Sequence, residues 1–158
     1  MRRLLILAFI LTTVPMSISA QRELDFASKF MEINGNLYEE LTCKTVSPFM
    51  MERIMKLDTL EDNKEMRKVL AQLKSIQIVK AQGSSLGDTL FNKATELAQL
   101  NKRRYKLYAD DEDRQIYLRK RNKIIVEMVF IANMDNVFNI VNLTGNMDES
   151  FLKELTNM

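Results

Sequence analysis

The hydrophobic pattern of the chain predicts helices first. Phe26, Phe30 and Ile33 recur at intervals of four and three residues, a spacing that places them on one face of an α-helix. Ser47-Pro48 predicts a second helix start, because serine caps a helix and proline is tolerated in its first turn. Further helices are predicted over about residues 65–73 and 88–100, and from an Asn146 cap to Leu155.

Alternating apolar and polar residues predict the strands. A first strand covers about residues 37–46, with Leu37, Leu41 and Cys43 on one side, and a second covers about residues 75–81. Four more follow from Tyr105 to Leu143, separated by polar turns at 110–113, 121–122 and 133–136. This order predicts an α+β fold: a mostly antiparallel sheet that ends in a four-stranded meander, with helices packed mainly on one face.

The N-terminal segment has the organisation of a secretory signal peptide. Arg2 and Arg3 precede an apolar run from Leu4 to Val14, and small residues then lead to Ala20. We expect cleavage after Ala20, which leaves a single α+β domain over residues 21–158. The apolar run is much shorter than the roughly 20 residues of a transmembrane helix, so no membrane span is expected. The prediction is export to the periplasm or the extracellular space.

Composition narrows the classes of function. The chain has 23 Lys+Arg and 21 Asp+Glu; loss of Arg2 and Arg3 leaves 21 of each, so the remaining domain is formally neutral. A neutral domain lacks the basic surface typical of nucleic-acid binding. The chain has no histidine, which excludes histidine-based triads, general bases and zinc sites. We therefore expect a non-enzymatic protein with no catalytic residue, cofactor or metal and no nucleic-acid partner.

Other candidate residues favour a structural interpretation. Cys43 is the only cysteine, so no internal disulfide can form, and we predict a buried structural thiol. The acidic turn at 110–113 lacks the glycine of an EF-hand loop and is predicted to be solvated rather than calcium-binding. Basic residues at 102–104 and 119–123 are predicted to form a solvated face rather than a site for acidic lipid or polysaccharide. We predict that Met50, Met51 and Met55 fill gaps in the hydrophobic core.

Four segments together resemble domain-of-unknown-function family 4252: DFASKFMEI, TVSPFMMERIMKL, LKSIQIVKA and VNLTGNMDESFLKEL. The resemblance covers nearly all of the chain after the leader and rests on patterned hydrophobics and on the closing strand–Gly–acidic–helix signature. It implies a small exported protein of Bacteroidetes with no established activity and no catalytic residues to carry over. Because members are often encoded near extracytoplasmic sigma-factor systems, it also implies a role in envelope stress or surface regulation.

Two tripeptides match the short acceptor that Bacteroidetes use for O-glycosylation of exported proteins. They are Asp58-Thr59-Leu60, in a predicted polar loop, and Asp88-Thr89-Leu90, at the start of a predicted helix. The sequence leaves open whether Thr59 or Thr89 is modified.

The meander predicts a contact surface. Pairing about the predicted turns puts Leu118 opposite Ile125 and Ile131 opposite Phe138. One face of the meander is then a core, while the other has the mixture of aromatic, methionine, arginine and amide residues typical of protein interfaces. We predict that this second face binds a partner through Tyr108, Tyr117, Arg119, Met128 and Phe130.

The predicted function is therefore a non-catalytic binding or regulatory module whose partner is an envelope protein or a glycan. Two alternatives stay open for the contact face, cover by the N-terminal helix or by a second copy in a homo-oligomer, because a slip of one residue exchanges the faces of a strand. The alternative from another class is a carboxylate-dependent hydrolase acting on envelope or extracellular glycans.

Overall fold

The structure is a computed structural model that describes residues 23–57 and 64–156. The predicted leader and the Asp58-Thr59-Leu60 motif lie outside the described residues. Among the helices that are described, none is long and apolar enough to cross a membrane.

Five helices and six strands make up the described chain. The helices are α1 Phe26–Asn34, α2 Pro48–Ile54, α3 Lys64–Ala71, α4 Ser84–Leu100 and α5 Glu149–Thr156. The strands are β1 Thr42–Val46, β2 Leu73–Gln82, β3 Lys106–Asp111, β4 Arg114–Arg121, β5 Ile124–Met134 and β6 Val137–Met147. The α+β class predicted from the sequence is confirmed.

The strands form one open sheet in the order β1-β2-β6-β5-β4-β3, and every neighbouring pair is antiparallel. Strands β3 to β6 are the predicted meander, which is confirmed. The pairing of β2 with β6 places the N-terminal half of the chain beside its C-terminal strand. As a consequence β1 and β3 are the two edges of the sheet.

Helix α1 and the long helix α4 cover one face of the sheet, which we call the front face. Val79 of β2, Val129 of β5 and Ile140 of β6 are fully buried there, and Val79 lies directly opposite Ile140. The cluster also includes Phe26, Phe30, Leu90, Ala94, Tyr105, Tyr117, Ile131 and Phe138.

The three shorter helices contribute to a second core on the opposite, back face. Met51 of α2, Val69 of α3 and Phe151 of α5 pack there against strand residues that include Leu118, Ile125, Met128 and Leu143. Helices therefore lie on both faces rather than mainly on one. The physical reason is that strand alternation also places apolar side chains on the back face. Each short helix packs an apolar side chain of its own against them.

The two predicted helix caps had different outcomes. Ser47 is the N-cap of α2, where its side chain accepts from the Met50 N–H, and Pro48 follows it as the first helical residue. The Asn146 cap is wrong. Because the Asn146 N–H bonds to the Gln72 carbonyl at 2.9 Å, β6 continues past it, and the Asp148 carboxylate instead accepts from the Phe151 N–H at 3.0 Å. Hydrogen bonds from Ser150 and Phe151 lower the pKa of Asp148.

The first strand is shorter than predicted, and Cys43 is exposed rather than buried. Residues 37–41 form turns, so β1 begins only at Thr42. Cys43 lies opposite Val79 and thus on the front face. Strand β1, however, is an edge strand with no described helix packed over this residue. The prediction of a buried thiol is wrong. Strand alternation determines on which face of the sheet a side chain lies, but not whether another element packs over it.

Candidate functional site

A buried glutamate lies at the centre of the front face. Glu127 is fully buried, and its carboxylate accepts hydrogen bonds from four groups. The Phe26 N–H and the Asn142 amide donate to Oε1 at 2.6 and 3.1 Å. The Arg119 Nε and the Tyr105 hydroxyl donate to Oε2 at 2.8 and 3.2 Å. Both oxygens are satisfied, as a carboxylate removed from water requires.

An irregularity in β5 turns Glu127 to this face. Against β4, Glu127 pairs with Arg119 and Ile125 with Lys120, so Val126 is an extra residue of the bulge type. Ile125 before the shift packs in the back-face core, whereas Val129 after it packs in the front-face core. Without the extra residue, strand alternation would place Ile125, Glu127 and Val129 on one face.

The N-terminus of α1 meets this polar centre. Asp25 caps the helix by accepting from the Ser28 N–H at 2.9 Å, and the Ala27 N–H donates to the Asn142 Oδ1 at 2.7 Å. Sheet side chains thereby satisfy the N–H groups of Phe26 and Ala27, which have no partner within the helix. A helix N-terminus also stabilises a nearby negative charge, so Glu127 holds α1 against the sheet.

Two arginines connect Glu127 to Glu23, the first described residue. Arg119 lies 2.8 Å from the Glu127 carboxylate and 3.3 Å from that of Glu23. Arg104 lies 2.9 Å from Glu23 and 3.8 Å from Glu127. Burial raises the pKa of Tyr105, and the nearby Glu127 carboxylate raises it further, so its hydroxyl remains a donor at neutral pH. We call Glu23, Arg104, Tyr105, Arg119, Glu127 and Asn142 the polar centre.

A cleft of about 510 Å³ opens beside the polar centre, between α1 and α4. Its two carboxylates are ion-paired: Glu23 with Arg104 at 2.9 Å, and Glu32 with Lys29 at 2.8 Å. Both of these carboxylates are more than half exposed. The buried hydrogen bonds of the polar centre, in contrast, hold α1 against the sheet.

The five residues predicted to bind a partner do not share a face. Tyr117 is buried in the front-face core and Arg119 belongs to the polar centre. Met128 is buried in the back-face core, and Phe130, two residues further on, is half-buried on the same face. Tyr108 is exposed on the edge strand β3, where the register against β4 is irregular. The shared contact face is wrong because the β5 irregularity exchanged the faces of β4 relative to those predicted.

A different set of side chains forms an incompletely covered apolar row on the back face. Ile78 lies opposite Val141, Val141 opposite Phe130, and Phe130 opposite Ile116, so the row crosses β2, β6, β5 and β4. Ile78 is 40% exposed, and the other three side chains are half-buried. Four neighbouring strands span roughly 14 Å. We call these four residues the open row.

The next row of the back face is polar except for Ala132. It consists of Lys80, Asn139, Ala132 and Arg114, which lie opposite one another in that order. On the other side of the open row the back-face core begins, with Met128 and Leu143 under the short helices. The open row is therefore a boundary strip between helix-covered sheet and polar sheet.

The other candidate residues from the sequence lie outside the polar centre and the open row. Only Glu112 and Asp113 form the loop of the acidic hairpin, because Asp110 and Asp111 belong to β3. Among the described residues no group of three His, Cys, Asp or Glu side chains could hold a metal ion. Thr89 is exposed within α4.

Sequence reasoning missed the polar centre. Glu127 is the single charged residue in the apolar run IIVEMVFIA, and Asn142 has a similar position in VFNIVNL. A lone acid in an otherwise apolar strand is a usable signal, because such a residue is rarely buried unless it is paired. The pattern around Glu127 does not identify its partners, since they come from α1, β4, β6 and the segment before β3.

The fold and these two features define a small α+β domain whose open sheet has helices on both faces, with exposed residues at its edges and along the open row. The chain belongs to the family described as Domain of unknown function (DUF4252), whose model matches residues 36–155. The match includes Tyr105, Glu127 and the open row, and α1 lies before it. No curated protein and no solved structure matches the chain.

Proposed function

We propose that the chain is an exported, non-catalytic binding module of the cell envelope and that the open row is its contact surface. The observation that carries the proposal is the row itself: four apolar side chains in direct register, each partly open to solvent. Apolar side chains that lie together on a surface mark interaction sites more often than isolated ones do.

The surroundings of the row support a protein as the partner. An apolar centre with a polar rim is the usual anatomy of a protein interface. Here the rim contains Lys80, Asn139 and Arg114, which lie in the neighbouring row. Arg114 is itself paired with Asp111 at 2.6 Å. Three of the four side chains in the row are aliphatic, which suits the side chains of a protein better than the rings of a sugar.

Ion pairing in the cleft beside the polar centre supports binding rather than hydrolysis. A carboxylate-dependent glycosidase needs two acids that flank the scissile bond and remain free to react. Glu23 and Glu32 are held by arginine and lysine, and Glu127 is closed off by its donors. The proposed role is therefore to hold a partner, as a regulatory or structural component of the envelope.

The test is site-specific cross-linking in cells. A photoreactive amino acid at Ile78 is expected to give a discrete cross-linked species, and the same group at Leu100, 77% exposed on α4, is expected not to give it. Phe130→Ser in the Ile78 background should abolish the species while the melting temperature falls by only a few degrees. A species with the mass of two chains would make the partner a second copy.

Two results would count against the proposal. One is the same set of cross-links from Ile78 and from Leu100, since the open row would then be ordinary surface. The other is a fall of many degrees in the melting temperature of Phe130→Ser, which would assign this ring to the core.

A further inference from the structure

Helix α2 and the turn after it expose large apolar side chains on the side away from the sheet. Phe49 is 67% exposed, Met50 47% and Leu57 53%. Met51 is the residue of α2 that is buried in the back-face core. Phe49 and Met50 belong to α2, and Leu57 follows in the turn after it; we call the exposed side chains of residues 49–57 the outward arc.

The same outward arc carries two cations. Arg53 and Lys56 are exposed in this segment, together with one acid, Glu52. The segment therefore presents large apolar side chains and two positive charges to solvent together. Long basic side chains can extend past apolar neighbours and keep their charge in a polar layer.

A cleft of about 680 Å³ lies beside this arc, between α2 and α3. Met51, Met55, Leu70 and Leu73 give it an apolar floor. Its charged lining residues are three cations and one acid: Lys56, Arg67, Lys74 and Glu52. An apolar floor under a ring of cations matches the chemistry of an anionic amphiphile.

From these observations we infer that α2 and the cleft behind it dock on the surface of a membrane that contains anionic phospholipid. Phe49, Met50 and Leu57 enter the boundary between headgroups and acyl chains. Arg53, Lys56 and Arg67 meet the phosphates. An amphipathic helix on a bilayer is buried to a depth of roughly 5–10 Å. The inference does not depend on the open row, which has its own test.

The charge balance sets the character of this binding. Residues 48–74 contain six basic and five acidic side chains, and three of the acids are Asp58, Glu61 and Asp62 between the two helices in sequence. The net charge of +1 is too small for binding by general attraction. Apolar insertion must therefore supply most of the affinity, with the cations adding selectivity for anionic lipid, so binding is reversible and only moderately sensitive to salt.

The experiment uses the exported protein purified from cells, with its N-terminus determined so that a retained leader cannot contribute. Sedimentation with vesicles of phosphatidylcholine and phosphatidylglycerol should recover the protein, and vesicles of phosphatidylcholine alone should recover several-fold less. The double variant Phe49→Ser, Leu57→Ser should lower binding roughly tenfold, as loss of two inserting side chains requires. The control Leu100→Ser should bind like the parent.

A second measurement reports insertion directly. The chain contains no tryptophan, so Phe49→Trp introduces a single fluorophore. Its emission should shift to shorter wavelength when mixed vesicles are added, while Leu100→Trp should not respond. Equal binding of parent and double variant, equal binding to both kinds of vesicle, or an unchanged Phe49→Trp spectrum would each overturn the inference.

Discussion

Glu127 shows how a single residue holds distant parts of this chain together. A carboxylate that leaves water loses hydration worth several kcal/mol. Here four hydrogen bonds, one of them from Arg119, and the nearby Arg104 replace it. Removing one partner of a buried ion pair is costly because the other charges remain buried and unpaired. We therefore predict that Glu127→Gln lowers the free energy of unfolding by about 3–5 kcal/mol, measured by denaturant titration.

The matched control is the other carboxylate of the polar centre. The Glu23 side chain is 55% exposed, and exposed pairs contribute about 0–1 kcal/mol, so Glu23→Gln should have a small effect. A similar loss of unfolding free energy in Glu127→Gln and Glu23→Gln would contradict the prediction, because burial would then not determine how much each carboxylate contributes to stability.

Cys43 shows that a residue can lie on the helix-covered face of the sheet and still be exposed to solvent. Its thiol is on the front face but exposed at the sheet edge, so we predict that it reacts with a disulfide reagent at similar rates in the native and the denatured protein. The measurement is the rate of thiolate release by absorbance. Protection of a hundredfold or more in the native state would show that β1 is covered in solution.

At the scale of elements, the strands could be predicted and their register could not. Short runs of strand-forming residues between polar turns identified β3 to β6. The turns were placed too early or made too long: the second and third hairpin loops are residues 122–123 and 135–136. Asn122, Asp135 and Asn136 have positive φ angles, which asparagine and aspartate tolerate better than most residues.

Within the sheet, the extra residue Val126 decided which side chains share a face. A displacement of two residues in a hairpin leaves the faces unchanged, and Ile131 and Phe138 do share one face, the front-face core, as their predicted pairing requires. An extra residue inside a strand exchanges the faces beyond it. Nothing in the local pattern of β5 marks this position, because apolar residues occur on both sides of it.

Gly145 provides a test of the junction between α3, β2 and β6. A side chain on this residue would overlap the Gln72 carbonyl, which cannot move freely because it also accepts from the Asn146 N–H. We predict that Gly145→Ala destabilises the fold by about 3 kcal/mol, at the upper end of the usual cost of overpacking. Thermal unfolding of Gly145→Ala and of the exposed control Asn146→Ala measures the difference, and equal melting temperatures would contradict the prediction.

For the whole molecule, the sequence predicted the architecture but not the candidate site. Periodicity and turn residues act locally and so predict helices and strands. The polar centre joins α1 to β4, β5 and β6, and the open row joins four strands across the sheet. Such arrangements depend on register and on which helices cover which strands, both of which are properties of the assembled fold.

Export is the prediction that concerns the chain as a whole. We expect the mature protein to begin near Gln21, two residues before the salt bridges of Glu23, and to be recovered from the periplasmic or extracellular fraction. Mass spectrometry of the native protein measures the N-terminus. A peptide that still contains Arg2 to Ala20 would contradict both cleavage and the proposed location.

The hydrogen bonds of α1 have a consequence for the order in which the chain can fold. The Phe26 and Ala27 N–H groups find their partners 101 and 115 residues further along. Contacts of such long sequence separation form slowly, because the loop must close before they stabilise anything. During synthesis, and during the export proposed above, the N-terminus emerges first, so the chain cannot complete its front-face core until β6 has also emerged. Until then Phe26 and Phe30, which are buried in the folded protein, are open to aggregation, and a chaperone at the site of emergence would have its greatest effect in that interval.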